Sequence, residues 1–167
     1  LPKGLISMVQ GGGRDVGVRL IRHPAIAAGA FTGSTAGGSA LAKEAANRPQ
    51  PIPFFGELGS VNPVIALPAE LQANGAALAS TLGGSIALGC GQFCTNPGVI
   101  VLIDYLSGTD TRAINDTFVT QLTTALQAQQ PHAMLTQGMR EAFEAGIEHW
   151  AAAGAAMCLR ETAAAGA

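Results

Sequence analysis

Charge is scarce in this chain. Lys and Arg number 9 and Asp and Glu number 11 among 167 residues, for a formal net charge of −2. That balance leaves no basic footprint and argues against nucleic acid as a partner. No apolar run is long enough to cross a bilayer, so no membrane association is expected. Cysteine is also sparse, at Cys90, Cys94 and Cys158. An odd count without framework spacing argues against a disulfide scaffold and points to a reducing, cytoplasmic setting. Cys90 and Cys94 have no second pair and no nearby histidine, while His23, His132 and His149 stand apart, so no zinc or other metal site is expected. The start, Leu1-Pro2-Lys3-Gly4, lacks a signal-peptide pattern and an initiator Met, which points to a start inside a longer protein. Low charge (12%) with 48% hydrophobic residues argues against disorder over most of the length.

The apolar residues fall in segments that alternate in period. Residues 5–9 read as a short buried strand, followed by the turn Gly11-Gly12-Gly13. Asp15 is placed to cap a helix through residue 22, with Val16, Leu20 and Ile21 on its apolar side. His23-Pro24 ends it, because a proline disfavours helical geometry in the residue before it. Residues 28–31 read as a strand, 32–35 as a turn and 37–47 as an alanine-rich helix. Pro49, Pro51 and Pro53 then exclude regular helix. Strands are expected at 54–58, 63–67 and 99–103, and helices at 71–88, 115–128 and 136–153. The tail, 151–167, is mostly alanine and glycine and offers little apolar bulk to anchor a helix. Alternation of strand and helix predicts an α/β protein with a largely parallel sheet. The first boundary falls near residues 67–74, giving units 1–70 and 71–167.

Three segments carry candidate chemistry. Cys94 lies in Gly91-Gln92-Phe93-Cys94-Thr95-Asn96-Pro97-Gly98, a polar, glycine-flanked loop between an apolar helix and an apolar strand. A cysteine with only a packing role is normally hidden in an apolar face. One on such a loop is better suited to nucleophilic attack. Thiolate addition to an aldehyde gives a thiohemiacetal, hydride loss gives a thioester, and a carboxylate suits the activation of the water that cleaves it. Glu57, at the end of a predicted strand, supplies such a carboxylate. Its neighbours Phe54, Phe55 and Leu58 argue against simple surface exposure. Gly33-Ser34-Thr35 precedes a helix, where amides and hydroxyls can meet a phosphate, although such turns also cap ordinary helices. Gly11-Gly12-Gly13-Arg14-Asp15-Val16-Gly17 lacks the Gly-Lys-Ser/Thr of a P-loop. Cys90 and Cys158 keep the reading of ordinary cysteines, with no bond expected between Cys90 and Cys94.

Taken in order, these segments resemble the aldehyde dehydrogenase superfamily. The resemblance runs from Leu1-Pro2-Lys3-Gly4-Leu5 to His23-Pro24, and through Phe31-Thr32-Gly33-Ser34-Thr35, Glu57-Leu58-Gly59-Ser60-Val61-Asn62-Pro63 and Gly91-Gln92-Phe93-Cys94. It implies the second half of a Rossmann-like cofactor domain in 1–70 and the start of the catalytic, thiol-bearing domain in 71–167. It implies Cys94 as nucleophile and Glu57 as general base for deacylation. It also implies a cofactor, NADP or NAD, held near Gly17, Gly33, Ser34, Glu57, Leu58 and Gly59, and the Cys94 backbone N–H as an oxyanion donor. The family's asparagine oxyanion donor, its ribose-binding lysine, a glutamate for the nicotinamide ribose and its oligomerisation segment have no counterpart here. The resemblance therefore implies a fragment of a homo-oligomeric enzyme, inactive by itself. Gly91–Gly98 together with Ser60-Val61-Asn62-Pro63 resembles the branch of α-ketoglutaric semialdehyde (2,5-dioxovalerate) and NADP-linked fatty aldehyde dehydrogenases. The expected activity is oxidation of such a small-molecule aldehyde to its acid. The alternatives are a fatty aldehyde dehydrogenase, a coenzyme A-acylating enzyme, or an inactive cofactor-binding piece.

Overall fold

Helix boundaries in this chain follow caps, prolines and glycines. A computed structural model describes residues 2–11 and 13–156. By their contacts, these residues divide into two units, one up to Gly59 and one from Ser60 onward. The sequence boundary at 70/71 lies further along. Residues 60–70 group with the second unit because the strand they contain pairs within it.

In the first unit, α1 (Asp15–Arg22) ends at His23, whose backbone is extended, as expected ahead of Pro24. Asp15 does not cap this helix. Arg14 occupies the cap position with helical dihedrals and makes no side-chain cap bond, while Asp15 sits in the first turn. There its charge still complements the helix dipole. β1 (Gly29–Thr32) pairs in parallel with β2 (Phe54–Glu57), with Thr32 opposite Glu57. Between them runs α2 (Thr35–Ala46), capped by Ser34, whose Oγ accepts from the Gly37 N–H at 3.1 Å. That cap starts the helix two residues before the expected position. Ile21 and Ala45 are the buried apolar centre of this unit. Arg22 forms a fork with Glu44 (Nε to Oε2 2.6 Å, Nη2 to Oε1 2.8 Å), tying α1 to α2. Arg48 closes the turn after α1 by donating to the Ile21 and Ile26 carbonyls at 3.0 and 2.8 Å.

The strand expected at 5–9 does not form. Leu5, Ile6, Met8 and Val9 are all exposed, and no strand pairs with the run among the described residues. An apolar run becomes a strand only where a neighbour completes its ladder.

In the second unit, β3 (Val64–Ala66) pairs in parallel with β4 (Ile100–Leu102). The connection between them is α3 (Pro68–Ala87), with proline at its first position, where no N–H is required. After β4 comes a hairpin that sequence reading misses, β5 (Tyr105–Leu106) and β6 (Thr109–Asp110). Its turn residues, Ser107 and Gly108, both have positive φ (51° and 84°). That is the backbone of the two-residue turn that suits strand twist, and Ser-Gly was its local signal. α4 (Arg112–Gln127) follows, and α5 (Gln137–Ala152) begins at the Thr136 cap, whose Oγ1 accepts from the Met139 N–H at 3.2 Å. No helix of the described residues is long and apolar enough to cross a membrane. Of the tail expected to be weakly ordered, 157–167 lie outside the described residues, as does Cys158. The fold class is α/β with parallel pairing, present among the described residues as two two-stranded parallel sheets and one antiparallel hairpin.

The core of the second unit gathers Ala66, Leu71, Ala79, Leu82 and Phe118, ringed by Val64, Leu78, Ile86, Ile100, Leu102, Ile114 and Leu122. Gly75, Ala79 and Gly83 form a row of small buried residues on α3. A Cβ at Gly83 would lie 3.0 Å from Ala125 Cβ, so the missing side chain lets α4 approach. Phe118 is 1% exposed, the bulkiest side chain sealed in this core. Phe118→Ala is expected to cost about 3–5 kcal/mol. The loss should appear as faster amide hydrogen exchange in α3 and α4 of the full-length protein carrying this chain. Unchanged protection of both helices would contradict that placement of the core.

Candidate active site

Each unit brings a different set of candidate residues together. In the first, the end of β2 and the start of α2 meet. The Gly33 N–H donates to the Glu57 carbonyl at 3.1 Å, extending the β1–β2 ladder by one bond. Leu58 then folds over α2, where a Cβ at Gly38 would lie 2.0 Å from Leu58 Cδ2. A side chain at 38 would require Leu58 to move from this position. Gly59 comes beside Thr35, and Gly17 on α1 lies beside Leu41 on α2. Gly33, Ser34, Glu57, Leu58 and Gly59 thus share one end of this β-α-β unit. The Glu57 side chain is exposed rather than shielded by Phe54, Phe55 and Leu58, and its carboxylate has no hydrogen-bond or ion-pair partner among the described residues. Phe55 is itself largely exposed, since alternate residues of a strand face opposite sides.

The first turn of α2 contains no acidic residue. Ser34 Oγ accepts from Gly37, which leaves the hydroxyl proton free to donate. With the unpaired N–H groups of a helix start, this turn has the chemistry of an anion site.

Cys94 belongs to the second unit. α3 ends in a tight turn, Leu88–Gly91, in which three successive residues are left-handed: Gly89 (φ 58°), Cys90 (56°) and Gly91 (70°). Glycine tolerates that backbone and cysteine does so at a cost, so the two glycines bracket the strain and turn the chain out of the helix. Cys94 follows in a turn closed by the Asn96 N–H on the Phe93 carbonyl at 3.0 Å. Its thiol is free and exposed. The loop is nevertheless tied down. Asn96 Nδ2 donates to the Ile86 carbonyl at 2.8 Å. Gln92 donates to the Gly89 carbonyl at 2.8 Å and accepts from the Leu135 N–H at 2.9 Å. Cys90 is half-buried and free, and its Sγ donates to the carbonyl of His132 at 3.1 Å.

Sequence reading missed the residues that hold this loop. Ser60 and Asn62 lie in the Glu57–Pro63 segment, but little in that segment points to a role for them. In the structure Ser60 Oγ and Asn62 Nδ2 both donate to the Cys94 carbonyl. The one local signal was an asparagine directly before proline, outside any regular element.

Residues 1–162 match the aldehyde dehydrogenase family. The chain belongs to that family. This aldehyde dehydrogenase chain is 45% identical over 146 residues to alpha-ketoglutaric semialdehyde dehydrogenase 2 of Azospirillum brasilense, an overlap of 87% of the chain and 26% of that relative. It is likewise 45% identical over 148 residues to the alpha-ketoglutaric semialdehyde dehydrogenase of Acinetobacter baylyi, covering 89% of the chain and 26% of the relative. The chain therefore spans about a quarter of the length of these curated relatives. Its fold is similar to that of an NAD-dependent benzaldehyde dehydrogenase from Corynebacterium glutamicum. The TM-score is 0.77 at 22% identity, over 97% of this chain and 34% of that one. The family and the α-ketoglutaric semialdehyde relatives are those anticipated from the motifs around Glu57 and Cys94.

Proposed function

We propose that the protein carrying this chain oxidises α-ketoglutaric semialdehyde, or a closely related aldehyde, to the carboxylic acid through a covalent intermediate on Cys94. The observation that carries this reading is a free, exposed thiol on a loop whose backbone is fixed from several sides, in a chain 45% identical to dehydrogenases of that semialdehyde.

The chemistry follows from the residues. The Cys94 thiolate forms a C–S bond to the aldehyde carbon while the carbonyl π electrons move to oxygen. The resulting oxyanion needs donors that are not already paired. Among the described residues the Cys94 N–H has no acceptor, which suits it to that task. The carbonyl re-forms as a hydride leaves the same carbon, and a thioester remains on Cys94. When bound, NAD(P)+ would supply the hydride acceptor, and the Gly33-Ser34 turn at the start of α2, with Gly17, Leu58 and Gly59, would be the residues to hold it. Glu57 takes a proton from the water that attacks the thioester, and the Cys94 thiolate leaves as the acid forms. In this reading the first unit is the cofactor-binding side and carries the base, and the second is the thiol-bearing side.

The direct test is to incubate the full-length protein with 2,5-dioxovalerate and NADP+ or NAD+, with and without coenzyme A. Reduced nicotinamide together with free 2-oxoglutarate, unaffected by coenzyme A, is the expected result. Acyl-CoA in place of free acid would overturn the hydrolytic reading. A protein active only on long-chain aldehydes would overturn the substrate assignment.

A further inference from the structure

Both peptide planes that meet at the Cys94 α-carbon are held through their carbonyl groups. The Phe93 carbonyl accepts from the Asn96 N–H at 3.0 Å. The Cys94 carbonyl accepts from Asn62 Nδ2 at 2.6 Å and from Ser60 Oγ. Asn62 Nδ2 also donates to the Asn96 carbonyl at 2.9 Å, so one amide group bridges the two sides of Thr95. The Gly98 N–H on the Val61 carbonyl, at 2.8 Å, joins the same two segments through the backbone. In a trans peptide the N–H points opposite to its carbonyl. Pinning the carbonyls of Phe93 and Cys94 therefore turns the N–H groups of Cys94 and Thr95 away from the clamp. Neither has an acceptor among the described residues. Fixing both planes also sets the direction in which the Cys94 side chain leaves the backbone.

Asn62 is suited to this position for a second reason. Its φ is +45°, in the left-handed region that asparagine enters more readily than most residues with a side chain. Its short amide then reaches both the Cys94 and the Asn96 carbonyls. A serine at 62 would lack the double donor, and an alanine or leucine would meet the backbone cost with nothing to donate to the two carbonyls.

We propose that Asn62 is a positioning residue for the nucleophile, its side-chain amide locking the Cys94–Asn96 backbone so that the Cys94 thiol and the outward N–H groups meet the aldehyde in one geometry. The proposal rests on the reading of Cys94 as the nucleophile.

The test uses Asn62→Gly and Asn62→Asp in the full-length protein. Glycine keeps the left-handed backbone and deletes the amide. Aspartate keeps the size and turns both donors into a carboxylate. Two quantities are read: the rate of the first turnover of nicotinamide reduction with excess enzyme over aldehyde (the burst rate, where a burst is seen), and the alkylation rate of Cys94 by iodoacetamide at neutral pH, located by peptide mass. The second requires neither aldehyde nor cofactor. Both variants should lower the burst rate roughly tenfold or more with little change in KM, as expected when a bound reactant is misaligned by a fraction of an ångström. Asn62→Asp should in addition slow alkylation roughly tenfold, because a carboxylate beside the loop opposes thiolate formation. Folded variants with the burst and alkylation rates of the unsubstituted protein would overturn the proposal. Should Asn62→Asp fail to fold, the Asn62→Gly burst decides it. An unsubstituted protein that reduces no NAD(P)+ with any aldehyde would sink the dehydrogenase reading instead, and slowed alkylation in Asn62→Asp would still support the clamp.

Discussion

Cys94→Ser in the full-length protein is expected to lower aldehyde-dependent reduction of NAD(P)+ at least about a thousandfold, the scale on which removal of a nucleophile acts. A serine hydroxyl fits the same space on the loop. The carbonyl clamp from Ser60 and Asn62 acts on the backbone at residue 94, so it survives the change. What is lost is the sulfur. A hydroxyl is far less acidic than a thiol and needs a base to attack a carbonyl carbon, and no side-chain base is hydrogen-bonded to Cys94 among the described residues. The effect should fall on kcat, with cofactor affinity retained, because the Gly33-Ser34 turn is untouched. Cys90→Ser is the matched control. That side chain donates to the His132 carbonyl, which a serine can also do, so its activity should stay within about twofold of the unsubstituted protein. Near-normal turnover by Cys94→Ser, or an equal loss in Cys90→Ser, would remove Cys94 from its role.

Most elements of this fold were legible because their causes are local. α1 ends at His23-Pro24 as expected, α5 starts at Thr136, the expected first residue, which serves as its cap, and α3, expected from 71, starts three residues earlier at Pro68 and ends before the left-handed Gly89 and Gly91. The features that were misread depend on residues far away in the chain. The run 5–9 has the composition of a strand, but a strand exists only with a partner, and local apolarity does not reveal whether one is within reach. The candidate site divides the same way. Cys94 and Glu57 stood out because each interrupts the pattern around it, a thiol in a polar glycine loop and a carboxylate in an apolar strand. Asn62 did not, since its value lies in bonds to carbonyls 32 and 34 positions along the chain. Carbonyl acceptors leave no trace in residue identity. Exposure was misjudged at Glu57 for a related reason. Phe54 and Phe55 point to opposite faces of β2, so apolar neighbours in sequence need not cover a carboxylate in space.

Glu57→Gln should separate the two halves of the reaction. Glutamine keeps the shape of glutamate, and the backbone of residue 57 stays anchored because the Gly33 N–H bonds its main-chain carbonyl, not its side chain. Thiolate attack and hydride departure require no proton acceptor at 57, so they should proceed. Hydrolysis of the Cys94 thioester requires water to lose a proton as it attacks, and an amide cannot take it. The expected record is a burst of reduced nicotinamide close to one per active site, followed by a steady rate lower by about a hundred- to ten-thousandfold, the usual contribution of a positioned general base. Acid quench during the slow phase should show the acyl group on the peptide containing Cys94. The exposed, unpaired state of the Glu57 carboxylate is what makes the assignment physically reasonable. A carboxylate already held by an arginine would be a poor proton acceptor near neutral pH, and two of the arginine-paired acids among the described residues, Glu44 with Arg22 and Asp110 with Arg112, show that contrast. The Asp110 carboxyl is held down to about 2, chiefly by the hydrogen bond from Arg112. If Glu57→Gln instead slowed the burst and the steady state equally, the residue would act before the thioester forms. If it changed neither, another group would be the base.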